Sequence, residues 1–130
     1  MLAEFPLYLA FLGTAVGLFA LALAIYAMIT PHHEIRLIRN GNTACAYSFG
    51  GTAIGMAIVL FSTAAGTFDV LELAIWGGIG LIGQLVIYFA VAVMIPGLRQ
   101  GLEDDRAAYG ILLGALSIAM GLVNAGAISS

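Results

Sequence analysis

The chain has 130 residues, of which 62% are hydrophobic and only 8% are charged. A soluble domain carries about 25% charged residues and needs them to cover its surface, so this composition excludes a water-soluble globular protein and fits one whose solvent is lipid. The net charge is −3 and there is no lysine, which excludes the clustered basic surface of a nucleic-acid-binding protein.

Four long stretches contain no Asp, Glu, Arg or His. Each is long enough for one membrane span of about 20 residues and too short for two. Backbone polar groups in lipid must be satisfied within their own segment, so the spans should be helices. The charged side chain that precedes the first stretch is acidic, Glu4, whereas a signal peptide begins with basic residues, so the first stretch is interpreted as a span. The predicted spans are 5–29, 44–65, 71–95 and 107–128.

The orientation follows from the arginines, which all lie in the first and third connections. Basic connections stay in the cytoplasm. We therefore predict a multi-pass protein of a bacterial inner membrane, with both termini outside. The four basic residues, which are also candidates for lipid headgroup contacts, are Arg36, Arg39, Arg99 and Arg106.

The sequence contains a weak internal repeat. A shift of 64 positions places Gly13 on Gly77 and Gly50 on Gly114. We predict a single membrane domain over 1–130, made of two helical hairpins, 5–66 and 71–130. Both hairpins would then have the same orientation and be related by an axis along the membrane normal.

The first connection carries the signals of a short helix. Pro31 is typical of a helix start and Asn40 with the glycine after it is typical of a helix stop, so we predict a short helix at the membrane surface. Asn42 or Thr43 would cap the second span. In the third connection, Asp104 or Asp105 would cap the fourth span in the same way.

The first connection also contains metal-ligand residue types. His32 and His33 are followed by Glu34. Adjacent side chains on a helix point about 100° apart, so these histidines do not share a ligand face, and a helix end is favoured over a metal site. Near the span ends, Tyr26 is expected at the membrane interface. The lone Cys45 is expected to be buried and inert.

All four spans have small or polar residues at helical spacing. Helices in lipid associate through such residues and through interhelical hydrogen bonds, so we expect packing faces. In the first span these residues are Gly13, Gly17, Ala20 and Ala24. In the second they are Ser48, Gly51, Gly55 and Ser62. In the third they are Gly77, Gly80 and Gln84, and in the fourth Gly110, Gly114, Ser117, Gly121 and Asn124.

Four polar residues within the spans are the candidate site: Thr52, Gln84, Ser117 and Asn124. They either line a path through the membrane or join the helices, each hydrogen bond then contributing about 0.6 kcal/mol. We favour the second role, in which these residues join the helices.

No acidic or basic residue lies mid-span, which argues against a proton-driven rotor proteolipid and a small multidrug exporter. No phosphate loop, zinc spacing or serine–histidine–acid constellation is present, so we expect no catalytic residue, no metal, no cofactor and no enzymatic activity.

Two segments carry a specific pattern: Pro31, His32, Glu34, Asn40, Asn42, Thr43 and Ala44 in the first connection, and Gly114, Gly121, Asn124 and Ala125 in the last span. With these residues, nearly the whole chain resembles a known family, the YjfL-like inner-membrane proteins with domain of unknown function 350. The resemblance implies a two-span unit that occurs as a tandem pair and has no established activity. For some members of the family it also implies a gene neighbourhood related to envelope stress or to polyamines. The sequence Asp104-Asp105-Arg106 departs from the motif, so only the first copy carries it intact.

Two functional hypotheses follow. The preferred one is a non-enzymatic membrane protein that forms a homo-oligomer, contacts membrane lipid, and docks a membrane-stress protein through its arginine-bearing connections. The alternative is a small channel or transporter for an ion or small solute, lined by the four polar residues of the candidate site.

Overall fold

The computed structural model describes residues 5–30, 34–66 and 69–129, and all of its regular structure there is helical. Four of the helices are long and apolar enough to cross a membrane. The helices are α1 (Phe5–Ile29), α2 (Glu34–Arg39), α3 (Thr43–Gly66), α4 (Val70–Met94), α5 (Leu98–Glu103) and α6 (Ala107–Ser129). The prediction of an all-α protein with four spans is confirmed, and no predicted boundary differs from the observed one by more than one residue.

Short helices lie in the first and third connections. Helix α2 falls where a surface helix was predicted, although its expected start at Pro31 and His32 lies outside the described residues. Helix α5 was not predicted. It follows Gly97, whose φ of 85° is in the left-handed region that glycine adopts without steric cost. Each half of the chain therefore has the order long, short, long. The internal repeat stays a prediction.

The centre of the bundle is the pair α3 and α6. Gly51 lies against Gly114, and Gly55 lies against Gly121. Because contact positions advance in the same direction along both helices, α3 and α6 run parallel. The small residues of the second and fourth spans thus meet each other, and their missing side chains let the two backbones touch.

Helix α4 packs on this central pair through its own glycines. A β-carbon on Gly80 would lie 2.9 Å from Val59 Cγ1, and one on Gly77 would lie 3.1 Å from Leu60 Cδ2. Both glycines are buried. The predicted packing face of the third span therefore contacts branched side chains of α3.

Helix α1 is peripheral. Only Ala22 and Tyr26 are buried in it, against ten buried residues in α3. The expectation that Tyr26 lies at the membrane interface is wrong: it is fully buried. Its ring lies 6.3 Å, centroid to centroid, from the rings of both Tyr88 and Phe49. The ring lies between α1, α3 and α4, where a large aromatic side chain buries its area against other rings, and it does not face the lipid headgroups.

The apolar core lies in the half of the bundle where α1 and α4 end and α3 and α6 begin. We call this the basic end, because the four arginines lie there. Helix α5 contributes Leu98 and Leu102 to it, and both are buried. The core consists of Tyr26, Ala44, Cys45, Tyr88, Val91, Leu98, Leu102 and Leu113.

Candidate functional site

Three of the four polar residues predicted as a candidate site lie together between α3, α4 and α6. Thr52, Gln84 and Ser117 are all fully buried. The Thr52 hydroxyl lies 3.4 Å from the Ser117 hydroxyl and 3.2 Å from the backbone oxygen of Ser48, one turn earlier in α3. Gln84 Nε2 donates to the backbone oxygen of Ser117 at 3.0 Å. We call these three residues and Ser48 the polar cluster.

The glycine spacing of α3 explains why Gln84 can enter. A β-carbon on Gly55 would lie 2.5 Å from Gln84 Nε2 and 2.5 Å from the backbone oxygen of Ser117. Only glycine at this position leaves room for the carboxamide of α4 to reach the backbone of α6. The glycines thus bring the backbones together and also admit one polar side chain from the third helix.

Thr52, Gln84 and Ser117 lie near the middle of their spans, and Ser48 lies one turn closer to the basic end. Gln84 precedes the end of α4 at Met94 by ten residues and follows its start at Val70 by fourteen. At about 1.5 Å per residue these are distances of about 15 and about 21 Å, and the hydrocarbon core is about 30 Å thick. Hydroxyl and carboxamide groups at this depth can bind a hydrogen-bonding ligand, but they supply no base that would activate a serine.

Two oxygen atoms of the polar cluster, Ser48 Oγ and Gln84 Oε1, are buried without a hydrogen-bond partner among the described residues. Ser48 was noted in the sequence only as a small residue. Its position four residues before Thr52, on the same helical face, was the signal that could have placed it in the site. The fourth predicted residue, Asn124, lies elsewhere: it is half-buried, with its Nδ2 3.4 Å from where a β-carbon on Gly83 would be.

A second polar arrangement joins the two connections at the basic end. Asn42 Nδ2 donates to the backbone oxygens of Leu102 at 2.7 Å and Glu103 at 3.3 Å. Its Oδ1 accepts from Cys45 N at 2.8 Å. Asn42 therefore caps the second span, as predicted, and also holds the end of α5. The Cys45 thiol is buried, as expected, and contacts the same Leu102 oxygen at 3.6 Å.

The prediction for the cap of the fourth span is wrong. Asp105 Oδ1 accepts from Ala44 N at 2.8 Å, so its carboxylate caps α3 instead of the helix that it precedes. Its backbone has a φ of 60°, a left-handed conformation that aspartate tolerates. Asp104 accepts from Gln100 Nε2 at 2.9 Å. The tertiary contact between the connections decides these partners, because it brings the start of α3 next to α5.

The structure brings none of the other described residues of the predicted connection motif into the polar cluster. Asn40 and Thr43 are exposed, and Glu34 begins α2. Pro31 and His32 lie outside the described residues. Among the residues that are described, no three His, Cys, Asp or Glu side chains are grouped as a metal site would require.

The arginines predicted to contact headgroups are all exposed. The ion pair that involves them in the described part of the chain joins Arg99 Nε to Glu103 Oε1 at 3.6 Å. These four residues, Arg36, Arg39, Arg99 and Arg106, share the basic end with the acidic residues of α5 and the loop after it. Headgroup contact stays a prediction.

The fold and its buried polar cluster define a multi-pass helical membrane protein, with four spans arranged around a parallel glycine-rich pair. The chain belongs to the DUF350 family, a domain of unknown function whose family model matches residues 1–128. The resemblance noted in the sequence is thereby confirmed.

Two curated relatives illustrate the similarity. The UPF0719 inner membrane protein YjfL of Escherichia coli K12 is 36% identical over 115 residues, which cover 88% of this chain and 86% of the relative. The UPF0719 transmembrane protein YshE of Bacillus subtilis 168 is 27% identical over 121 residues, covering 92% and 90%. No solved structure matches.

Proposed function

We propose that this protein is a non-enzymatic membrane protein that self-associates through α1. The observation that carries the proposal is the outward face of this helix. Gly13 and Gly17 have no atom within 4 Å of the position of an added β-carbon. Ala20 and Ala24, which continue the same face, are exposed.

The geometry of α1 supports a division between two faces. Ala22 and Tyr26 are its buried residues and attach it to the bundle. Ala24 lies two residues from each of them, about 200° around the helix. The small-residue face of α1, formed by Gly13, Gly17, Ala20 and Ala24, therefore points away from the bundle.

The proposed occupant of this face is the same face of a second copy. Small residues three and four apart let two helices in lipid approach closely, and the α3–α6 pair of this chain packs through the same spacing. A stripe of this kind is self-complementary, so two copies related by a two-fold axis along the membrane normal would bury it on both sides. The contact between copies would then repeat the contact at the centre of each copy.

A second part of the proposal concerns the basic end. Asn42 holds the first and third connections together, and the four arginines of these connections are exposed at the same end of the bundle. We infer that this end of the bundle docks a membrane-stress protein. The polar cluster supports a packing role over a channel, since Thr52, Gln84 and Ser117 are fully buried and the backbones of α3 and α6 are in contact beside them.

The test compares oligomer distributions in lipid nanodiscs or mild detergent by native mass spectrometry and single-molecule photobleaching. Gly13→Leu with Gly17→Leu should convert the wild-type oligomer largely to monomer. The matched control is Gly78→Leu with Gly126→Leu, since these glycines also have open space around them but lie on α4 and α6. The proposal is rejected if the wild type is monomeric, or if the α1 variant associates as the wild type does.

A further inference from the structure

The α3–α6 pair has a second side, opposite to the one that α4 covers. On the covered side, Gly80 of α4 contacts Val59 of α3, and Asn124 of α6 faces α4. Gly50 lies nine positions before Val59, and Ala115 lies nine positions before Asn124. Nine positions turn a helix by about 180°, so Gly50 and Ala115 lie on the side of the pair that is away from α4.

A groove runs along this second side between the two helices. Its volume is about 430 Å³, within the range of about 300–1,000 Å³ that is typical of ligand pockets. Gly51 and Gly114, whose backbones are in contact, form its floor. Ile54 and Ile111, each about half exposed, form its walls. Gly50 has no atom within 4 Å of an added β-carbon, so the groove is open there. We call it the α3–α6 groove.

The α3–α6 groove lies within one leaflet of the bilayer. Its residues from Ala46 to Ile54 follow the start of α3 by three to eleven positions, and those from Ile111 to Ile118 follow the start of α6 by four to eleven. At about 1.5 Å per residue this is a depth of about 5–16 Å, whereas the hydrocarbon core is about 30 Å thick. The groove therefore opens to the acyl chains of the leaflet at the basic end.

Two polar side chains lie at the shallow end of the groove. Tyr47 lines it and is about half exposed. Because helical side chains lean toward the start of their helix, we expect its hydroxyl near the level at which α3 begins. Thr43 is exposed and precedes Gly50 by seven positions, which is two turns along the same helical face. The groove is thus apolar in its depth and polar at its mouth, like a lipid molecule.

We propose that the α3–α6 groove binds one acyl chain of a phospholipid, with the ester groups of that lipid at Tyr47 and Thr43. A tyrosine has an apolar ring and a polar tip, so it can contact both parts of such a molecule. Water does not suit the depth of the groove, because an apolar cavity offers too few hydrogen-bond partners and stays dry. The proposed association face lies on α1, so the two proposals can fail independently.

The test uses phosphatidylglycerol that carries a photoreactive diazirine in one acyl chain, in nanodiscs that contain the full chain. Lipid that only surrounds the protein labels the exposed side chains of every helix alike. A bound acyl chain concentrates the adducts, which are mapped by mass spectrometry, on residues 46–54 and 111–118. The reference residues are Val86 and Phe89, which are exposed on α4 at a similar depth. We expect several-fold more label in the groove than at these two residues.

Side chains that fill the groove should displace the lipid. Gly50→Leu should lower the labelling of the groove several-fold and leave the reference residues unchanged. Ala115→Leu fills the groove from α6 and should act in the same way, so a folding defect of one variant does not decide the test. Gly78→Leu is the control, since its added side chain also meets open space but lies on α4. Tyr47→Phe removes a hydrogen bond to the lipid and should also lower the labelling, whereas Tyr8→Phe, at an exposed tyrosine of α1, should not.

Three results contradict the acyl-chain site. Equal labelling of the groove and the reference residues in the wild type would overturn the proposal. So would labelling at the wild-type level in both groove-filling variants. A changed oligomer distribution of Gly50→Leu in native mass spectrometry would also overturn it, because that result identifies a second copy of the chain as the occupant.

Discussion

A β-carbon placed on Gly121 of α6 would lie 2.5 Å from the Cα of Gly55 in α3. Two non-bonded carbons normally stay about 3.5–4.0 Å apart, so these helices approach as closely as their backbones allow. The same relation holds between Gly51 and Gly114 one to two turns away. The parallel α3–α6 pair is therefore the rigid centre on which α4 and α1 are assembled.

The first prediction tests this centre with two adjacent glycines of α3. Gly51→Ala places a methyl group against the Gly114 backbone and should destabilise the protein by about 1–3 kcal/mol, the usual cost of overpacking. Gly50→Ala is the control, since nothing lies within 4 Å of its added carbon. It should be neutral or stabilise by up to about 1 kcal/mol, because alanine favours a helix. Thermal unfolding in detergent measures both. Equal effects would refute the close α3–α6 contact.

The second prediction concerns the joint between the two connections. Asn42→Ala removes the cap of α3 and leaves the Leu102 oxygen without its amide donor. We expect a loss of about 1–3 kcal/mol in unfolding free energy. It should also increase hydrogen exchange at the first amides of α3. Asn40→Ala, at an exposed asparagine two residues away, should change stability by less than about 0.5 kcal/mol. A similar response to both changes would show that Asn42 does not join the connections.

The third prediction concerns orientation, which follows from the arginines alone. In a Cys45→Ala background, Asn40→Cys marks the basic end and Glu72→Cys marks the opposite end, and both positions are exposed. A membrane-impermeant maleimide added to intact cells or spheroplasts should label the cysteine at position 72. It should label the one at position 40 only after permeabilisation, since basic connections remain in the cytoplasm. The reverse pattern would place both termini inside.

The candidate site was only partly accessible from the sequence. The polar residues of the spans could be found because each interrupts an apolar run, and three of the four do meet. Periodicity cannot say which helix faces which, so it could not separate Asn124 from the others or add Ser48. Nor could it show that Gln84 reaches the backbone of α6 across Gly55, since that contact joins three helices.

The small-residue face of α1 also shows that periodicity does not identify the packing partner of a helix. The spacing of its small residues resembles that in α3 and α6, and all three helices were expected to pack against other helices through these residues. In the folded chain, Tyr26 attaches α1 through the opposite face and Gly13 remains open. The local sequence pattern shows that a helix face can pack closely against another helix. The arrangement of the neighbouring helices decides whether that face is covered within the chain.

The sequence by itself determined the number, length and helical nature of the spans, because the cost of placing charges and unpaired backbone groups in hydrocarbon acts on each segment separately. Only the tertiary structure decided that α3 pairs with α6, that Asp105 caps α3, and that Thr52, Gln84 and Ser117 meet in the interior of the bundle. Those outcomes depend on contacts between residues 33 to 65 positions apart, whose energies no single segment contains.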